Sequence, residues 1–211
     1  MRCHLLSSLY QDHDTYCHQV RLSGMSRWKP DAAGRLVVAA ITLFAEQGYQ
    51  ATTVAEIAER AGLTQRTFFR YFSDKREVLF SGSEELVRLW LEAVAAAPPE
   101  ATPFAVVTAG LDPVAEMFIE RHEFARIRAA VIEANPELKE RELIKLQTLA
   151  GSIEAALIGR GVSVSAAILA AQAGVTVFHV AFASWVQQDD PTTFRRLMDE
   201  SLEELRSVTA G

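Results

Sequence analysis

The chain has 211 residues, 49% of them hydrophobic, with 21 basic and 27 acidic side chains and a formal net charge of −6. That length and apolar content suit one large or two small domains with a real core and exclude a disordered chain, while two cysteines exclude a disulfide scaffold. The longest apolar run, 166–186, is interrupted by Gln172, Thr176, His179 and Ser184 and reads as too short for a membrane span, and the overall negative charge argues against a nucleic-acid partner until it is divided by segment.

Residues 1–24 differ from the rest. They hold both cysteines, Cys3 and Cys17, and three of the five histidines, His4, His13 and His18. There is no long apolar stretch with a small-residue cleavage motif, so a signal peptide is not indicated. A Cys/His cluster with Asp12 and Asp14 is one reading, but its spacing matches no standard zinc pattern. A disordered extension is the second. The third is a misplaced start, with translation beginning at Met25. Met25-Ser26-Arg27-Trp28-Lys29-Pro30 reads as a short basic leader before a helix and favours that start.

From residue 31 the pattern is helical. Val37, Ala40, Ile41 and Phe44 fall at helical spacing, and Gly48 is a natural stop. Thr53-Val54-Ala55-Glu56 has capping-box form. Ile57, Ala58 and Ala61 then make an apolar face that ends at Gly62. Thr64 can cap a short helix to about Tyr71 that buries Phe68 and Phe72. Ser73 or Asp74 is expected to open a long helix through about Ala97, with Val78, Leu79, Leu86, Leu89 and Trp90 inward. Pro98-Pro99 ends it. Asp112-Pro113, Asn135-Pro136 and Asp190-Pro191 each place a cap residue before proline. They bracket helices near 103–110, 113–133, 136–159, 163–188 and 191–208. No run alternates with period two, so the fold class is all-α.

Residues 36–80 carry the strongest functional signal. Two short helices joined by a glycine-containing turn at Gly62-Leu63 form a helix-turn-helix. Ala58 and Ala61 allow close approach, and Ile57, Leu63, Phe68 and Phe72 are the expected miniature core. The third helix then leaves Gln65, Arg66, Thr67, Phe69, Arg70 and Tyr71 outside. Arginine can donate two hydrogen bonds to guanine, glutamine can pair with adenine, and an apolar edge can meet a thymine methyl. Charge divides the same way. Residues 25–80 carry eight basic and six acidic side chains, whereas residues 81–211 carry eleven and nineteen. A cationic head therefore precedes an acidic body. Glu46, Glu56 and Glu59 read as surface charges.

The stretch LFAEQGYQATTVAEIAERAGLTQRTFFRYFSDKREVLF, residues 43–80, resembles the TetR family of transcriptional regulators. It repeats the family's Phe, Gly-Tyr, Thr-Thr-Val, Ile-Ala and Ala-Gly pattern, then aromatic-x-x-Phe with a lysine three residues on. The resemblance implies an N-terminal three-helix helix-turn-helix domain over residues 25–73 and a C-terminal helical effector-binding and dimerisation domain over 74–211. It assigns base contacts to Gln65, Arg66 and Phe69. Phosphate contacts fall to Thr53, Arg70, Tyr71 and Lys75, with Arg27, Lys29 and Arg35 near the backbone. The family usually has tyrosine where this chain has Phe69, which leaves that residue a methyl contact rather than a hydroxyl one.

The resemblance further implies a cytoplasmic homodimeric repressor of a palindromic double-stranded DNA operator, released by a small hydrophobic or amphipathic effector. No cofactor, metal or membrane partner is implied. Its two reading helices would lie roughly 34–36 Å apart. The dimer interface is expected on the last two long helices at Gly174, Phe178, Ala181, Trp185, Phe194, Leu197 and Met198. The effector pocket is expected between residues 81 and 160, lined by Trp90, Phe104, Met117, Phe118, Phe124 and Ile127, with Arg121, His122 and Arg128 as polar partners. Each of these aromatics also suits an ordinary core. The stretch from Arg126-Ile127-Arg128 to Asn135-Pro136-Glu137-Leu138 resembles a subgroup that senses acyl-CoA-like ligands. His179, in an apolar helix, reads as a buried or interface histidine rather than a metal ligand.

Two other classes compete. An enzyme lacks support, because the chain shows no Ser/His/Asp or Cys/His set, no glycine-rich phosphate loop and no HExxH motif. Glu120-Arg121-His122-Glu123 has the wrong spacing for a di-metal bundle. An activator, or an architectural DNA-binding protein without a ligand, shares the same reading head. The intact mass of the native protein is expected to count from Met25; a mass counted from Met1 would contradict that start.

Overall fold

The computed structural model describes residues 31–210. The zinc cluster, extension and start-site readings of 1–24, and the roles given to Arg27 and Lys29, lie outside the described residues. Every regular element among the described residues is helical, as the 3.6-residue spacing of apolar side chains requires. The chain divides after Tyr71 into two units.

The first unit is a trio of helices. In α1 (Ala32–Gln47), the Asp31 carboxylate accepts from the Gly34 N–H at 2.8 Å, and the helix buries Leu36, Ala39, Ala40, Leu43 and Phe44. Gly48 ends it with φ +85°, a conformation that disfavours any residue with a Cβ. Then α2 (Val54–Arg60) and α3 (Gln65–Tyr71) follow, each of seven residues. All three helices pack on one another, around Leu36, Ala40, Phe44, Tyr49, Ile57 and Phe68.

The second unit corrects the single helix expected from 74 to 97. Asp74 accepts from the N–H groups of Arg76 and Glu77 at 2.8 and 3.2 Å, which closes a turn instead of opening a helix. The hydrogen bond from the Arg76 guanidinium holds the Asp74 carboxyl below its usual range. A 3-10 turn follows at Glu77–Phe80, and α4 (Ser83–Ala96) begins only after Gly82. The physical reason is that the backbone groups of this stretch find other partners: Asp74 takes the amides of residues 76 and 77, and Arg128 donates to the Leu79 carbonyl, while Val78, Leu79 and Phe80 are all buried.

Next come α5 (Pro103–Thr108), α6 (Leu111–Ile119) and α7 (His122–Glu133). The helix expected at 113–133 is therefore two. The Arg121 N–H bonds back to the Phe118 carbonyl at 2.8 Å, tightening the end of α6, and His122 turns inward. Asp112-Pro113 lies inside the first turn of α6 rather than before it. Pro136 does open α8 (Pro136–Gly159), but Asn135 spends its side chain on the Val131 carbonyl at the end of α7. Then α9 (Val164–Trp185), a short 3-10 turn at Pro191–Thr193 and α10 (Phe194–Thr209) complete the chain.

The axis of this unit is α9, which packs against α5, α8 and α10. By length and composition it is long and apolar enough to cross a membrane, contrary to the sequence reading, yet half of its most apolar window lies inside the unit. Its polar interruptions fall on its outer side: Thr176, His179 and Ser184 are exposed. His179 is thus not buried in the protomer. At the inner end Trp185 stacks on Phe194 with centroids 4.4 Å apart, and Phe118 meets the rings of Phe178, Phe182, Trp185 and Phe194. Arg160 ties α8 to the end of α4 by donating to the carbonyls of Val94, Ala97 and Pro98, which supplies partners that a helix C-terminus lacks.

Gly174 sets how closely α9 approaches α5. A Cβ placed there would lie 2.2 Å from Val107 Cγ1. Overpacking of this kind costs about 1–3 kcal/mol. Gly174→Ala is expected to lose that much in urea unfolding; an unchanged midpoint would contradict the close contact.

Candidate nucleic-acid interface

The reading element is assembled by local chemistry. At the start of α2 the capping box closes in both directions. The Glu56 N–H donates to Thr53 Oγ1 at 3.2 Å, and Glu56 Oε2 accepts from the Thr53 N–H at 2.8 Å and hydroxyl at 2.7 Å. At the end of α2 the Gly62 N–H bonds to the Glu59 carbonyl and the Leu63 N–H to that of Ala58, at 2.9 and 2.8 Å. This is a Schellman stop, which needs a left-handed residue at Gly62, where φ is +66°. Thr64 then caps α3 through the Thr67 N–H at 3.2 Å. The whole helix-turn-helix thus turns through one glycine between two threonine caps.

Two contacts that the sequence reading did not single out fix this element. Thr52 is almost fully buried; its hydroxyl donates to the Gly48 carbonyl at 2.8 Å and accepts from Gln47 Nε2 at 3.3 Å. A polar residue buried beside the cap was the available signal, hidden because Thr52 and Thr53 look alike. Arg60 reaches Glu46 with two hydrogen bonds of 3.2 and 2.8 Å, tying α2 to α1. That bond holds the Glu46 carboxyl below the ordinary carboxylate range. Both groups are exposed, so salt screens the pair.

Among the α3 side chains Phe68 alone is fully buried. Gln65, Arg66, Phe69 and Arg70 are exposed, and their spacing of one and four residues puts them on one helical face. The Phe69 ring is 55% exposed and rests edge-on against Phe68 at 5.5 Å. Arg66 has no ion-pair partner among the described residues, so both its donor edges remain available. Arg70 lies over the Tyr71 ring at 4.8 Å and donates to its hydroxyl at 3.0 Å, which fixes both groups at the end of the helix. Thr67 is half-buried, its hydroxyl 3.0 Å from that of Thr64.

The structure therefore gathers Thr53, Gln65, Arg66, Phe69, Arg70 and Tyr71 in the first unit. Arg35 is exposed on α1, with its guanidinium beside Gly62. Lys75 is half-buried and belongs to the second unit, in the turn closed by Asp74.

The residues assigned to the dimer interface are placed differently. Gly174, Phe178, Ala181, Trp185, Phe194 and Met198 are buried in the core of their own unit. Side chains already enclosed have no surface left for a partner. Leu197 alone of the seven keeps surface. It lines an open groove of about 400 Å³ between α9 and α10, with Thr176, Val180, Ser184, Leu205 and Val208. The sequence reading took the inner face of α9 for the outer one.

The residues expected around an effector are also occupied. The Trp90 indole is fully buried and donates to the Val107 carbonyl at 2.8 Å. His122 is buried, its Nε2 3.3 Å from the Trp185 carbonyl and its ring 4.4 Å from that indole. Arg128 is paired with Glu142. Phe104, Met117, Phe118, Phe124 and Ile127 are half-buried, and Arg121 is exposed. None of them lines the α9/α10 groove or a second hollow of about 220 Å³ beside Asp112 and Arg195.

Residues 36–81 match the model of the bacterial regulatory proteins of the tetR family. A curated relative, the HTH-type transcriptional regulator TcmR of Streptomyces glaucescens, is 38% identical over 69 residues. That stretch is 33% of this chain and 30% of TcmR, so the likeness spans less than a third of that protein. Likeness of fold extends further. The fatty acid degradation regulator FadR of Bacillus halodurans superposes with a TM-score of 0.54 at 19% identity, over 85% of this chain and 99% of that one. FadR of Thermus thermophilus, a TetR-family repressor solved with lauroyl-CoA, superposes with a TM-score of 0.53 at 21% identity, over 85% and 95%. Residues 36–81 thus carry the helix-turn-helix domain typical of the tetR family of bacterial regulatory proteins, and the rest of the chain shares the fold of solved members of that family.

Proposed function

We propose that the protein is a cytoplasmic transcriptional repressor that binds a palindromic DNA operator as a homodimer and is released by a small hydrophobic or amphipathic effector. The observation that carries this reading is the outward face of α3, where Gln65, Arg66 and Phe69 stand exposed while Phe68 anchors the helix. Gln65 and Arg66 offer the donors that suit adenine and guanine edges, and Phe69 offers an apolar edge to a thymine methyl. Thr53, Arg70, Tyr71 and Lys75 serve the phosphates. In the effector arm, a ligand enters among Trp90, Phe104, Met117, Phe118 and Phe124, with Arg121, His122 and Arg128 for its polar end. The lauroyl-CoA carried by the Thermus thermophilus relative supports an acyl-chain effector. Because the region is packed in this structure, the ligand has to displace existing contacts and so favours a different population of conformers.

The homodimer uses the outer face of α9 and the groove beside α10. From residue 161 to 188 the chain has no Asp, Glu, Lys or Arg, yet Leu169 is 71% and Val180 51% exposed. An uncharged apolar stripe of this kind is commonly covered in a symmetric assembly. Sedimentation of the wild type is expected to give twice the chain mass, and Val180→Glu the single mass; a Val180→Glu dimer would move the interface elsewhere.

On the promoter adjacent to the gene, Arg66→Ala is expected to lose about 1–3 kcal/mol of discrimination between operator and unrelated DNA. Lys75→Ala is expected to weaken both about equally and to lower the salt slope by about one. If both variants shift the promoter fragment like wild type, the assigned surface is wrong. A promoter fusion is expected to rise in activity when the gene is deleted; a fall would make the protein an activator.

A further inference from the structure

Phe69 stands on the outward side of α3 among polar side chains. Gln65 lies four residues before it and Arg66 three, so the three side chains share one face of the helix. The fully buried Phe68 ring meets Phe69 edge-on, with centroids 5.5 Å apart and planes at 82°. That is a favoured aromatic geometry, and it holds the exposed ring from its inner side. The next cation along the helix, Arg70, does not cover it. Its guanidinium is turned to Tyr71, over the ring at 4.8 Å and onto the hydroxyl at 3.0 Å.

A phenyl ring carries no hydrogen-bonding atom. In the major groove thymine shows the O4 acceptor and the C5 methyl, and cytosine shows the N4 donor and no methyl. 5-Methylcytosine combines the amino group of cytosine with the methyl of thymine. A phenyl edge gains contact with that methyl whichever group stands at C4. A tyrosine in the same place would bring a hydroxyl able to prefer one C4 group over the other. The hydrogen bonds of this face come from Gln65 and Arg66, whose donors suit purine edges. The face therefore has polar means of reading purines and a purely apolar means of reading pyrimidines.

We propose that Phe69 makes the protein a reader of the pyrimidine 5-methyl group: 5-methylcytosine serves as well as thymine at the Phe69 contact, and methylation of an operator cytosine there strengthens binding instead of blocking it. The inference rests on the reading of DNA by the α3 face proposed above. It adds a class of ligand to that reading, duplex DNA methylated at cytosine C5, and it assigns the discrimination to one side chain.

The test takes a duplex selected by the full-length wild-type protein from a randomised library and measures affinity by fluorescence anisotropy. Each thymine is replaced in turn by deoxyuridine, which removes the methyl and nothing else. One position in each half-site is expected to lose about fourfold, the worth of burying one methyl group. At that position the T·A pair is then exchanged for C·G and for 5-methylcytosine·G. The methylated duplex is expected to bind about fourfold more tightly than the unmethylated one. Phe69→Ala is expected to level both comparisons while still preferring the selected duplex to unrelated DNA. Phe69→Gln, a polar side chain that suits a helix, carries the assignment if Phe69→Ala melts early by circular dichroism.

A half-site selected without thymine overturns the inference. So does a uracil series without effect, a methylated duplex no tighter than its unmethylated counterpart, or a methyl preference that persists in the Phe69 variants. Each of these leaves the α3 reading standing as long as Arg66→Ala loses discrimination. Wild-type discrimination in Arg66→Ala, or a wild-type protein that selects no duplex, overturns the α3 reading and this inference with it.

Discussion

A helix of seven residues does not hold itself together in water, because helices shorter than about 12–15 residues are marginal even with favourable composition. That constraint governs the reading unit. What keeps α3 helical is one buried ring, Phe68, the Thr64 cap at its start and the Gly62 stop that delivers the chain to it. Burial of a phenylalanine is worth about 1.5–3 kcal/mol, enough to decide the matter for so short a segment. Because the inward face needs only that one ring, Gln65, Arg66, Phe69 and Arg70 are left outside with no structural duty toward the core. The economy of the anchor is what makes a surface for DNA available.

Charge follows the same division. A net −6 spread over the whole chain would repel a polyanion, but the acidic excess belongs to residues 81–211. Much of it is engaged locally: Glu85 and Glu92 hold Arg88, and Asp112 and Glu116 hold Arg195. The stretch 161–188 has no Asp, Glu, Lys or Arg. A cationic head, an acidic body and an uncharged stretch within it are three different electrostatic solutions in one chain.

Legibility in the sequence tracked the range of the interactions involved. The Thr53 capping box, the glycine turn at Gly62 and the exposed residues of α3 were readable because each depends on neighbours within four positions. The break between Asp74 and Gly82 was not, since the turn there is held by Arg128, Arg141 and Lys145, which are about 50 to 70 residues away along the chain. The end of α6 at Glu120 carries no glycine or proline to announce it. The inner and outer faces of α9 were hard to separate for a different reason. Thr176, His179 and Ser184 mark the outer side, but Leu169 and Val180 share it with them and are as apolar as the inward Phe178 and Trp185, so the contrast between faces is thin. The aromatic residues expected around an effector were identified as a group, but a list of rings does not distinguish a filled core from a lined cavity.

The outward face of α3 is tested most directly by hydrogen exchange of the full-length protein with and without its selected operator duplex. Slower exchange is predicted across residues 64–71 and at the start of α2 when DNA is bound. Unaltered exchange across 64–71 in a protein that demonstrably holds the duplex would mean that another surface reads the DNA.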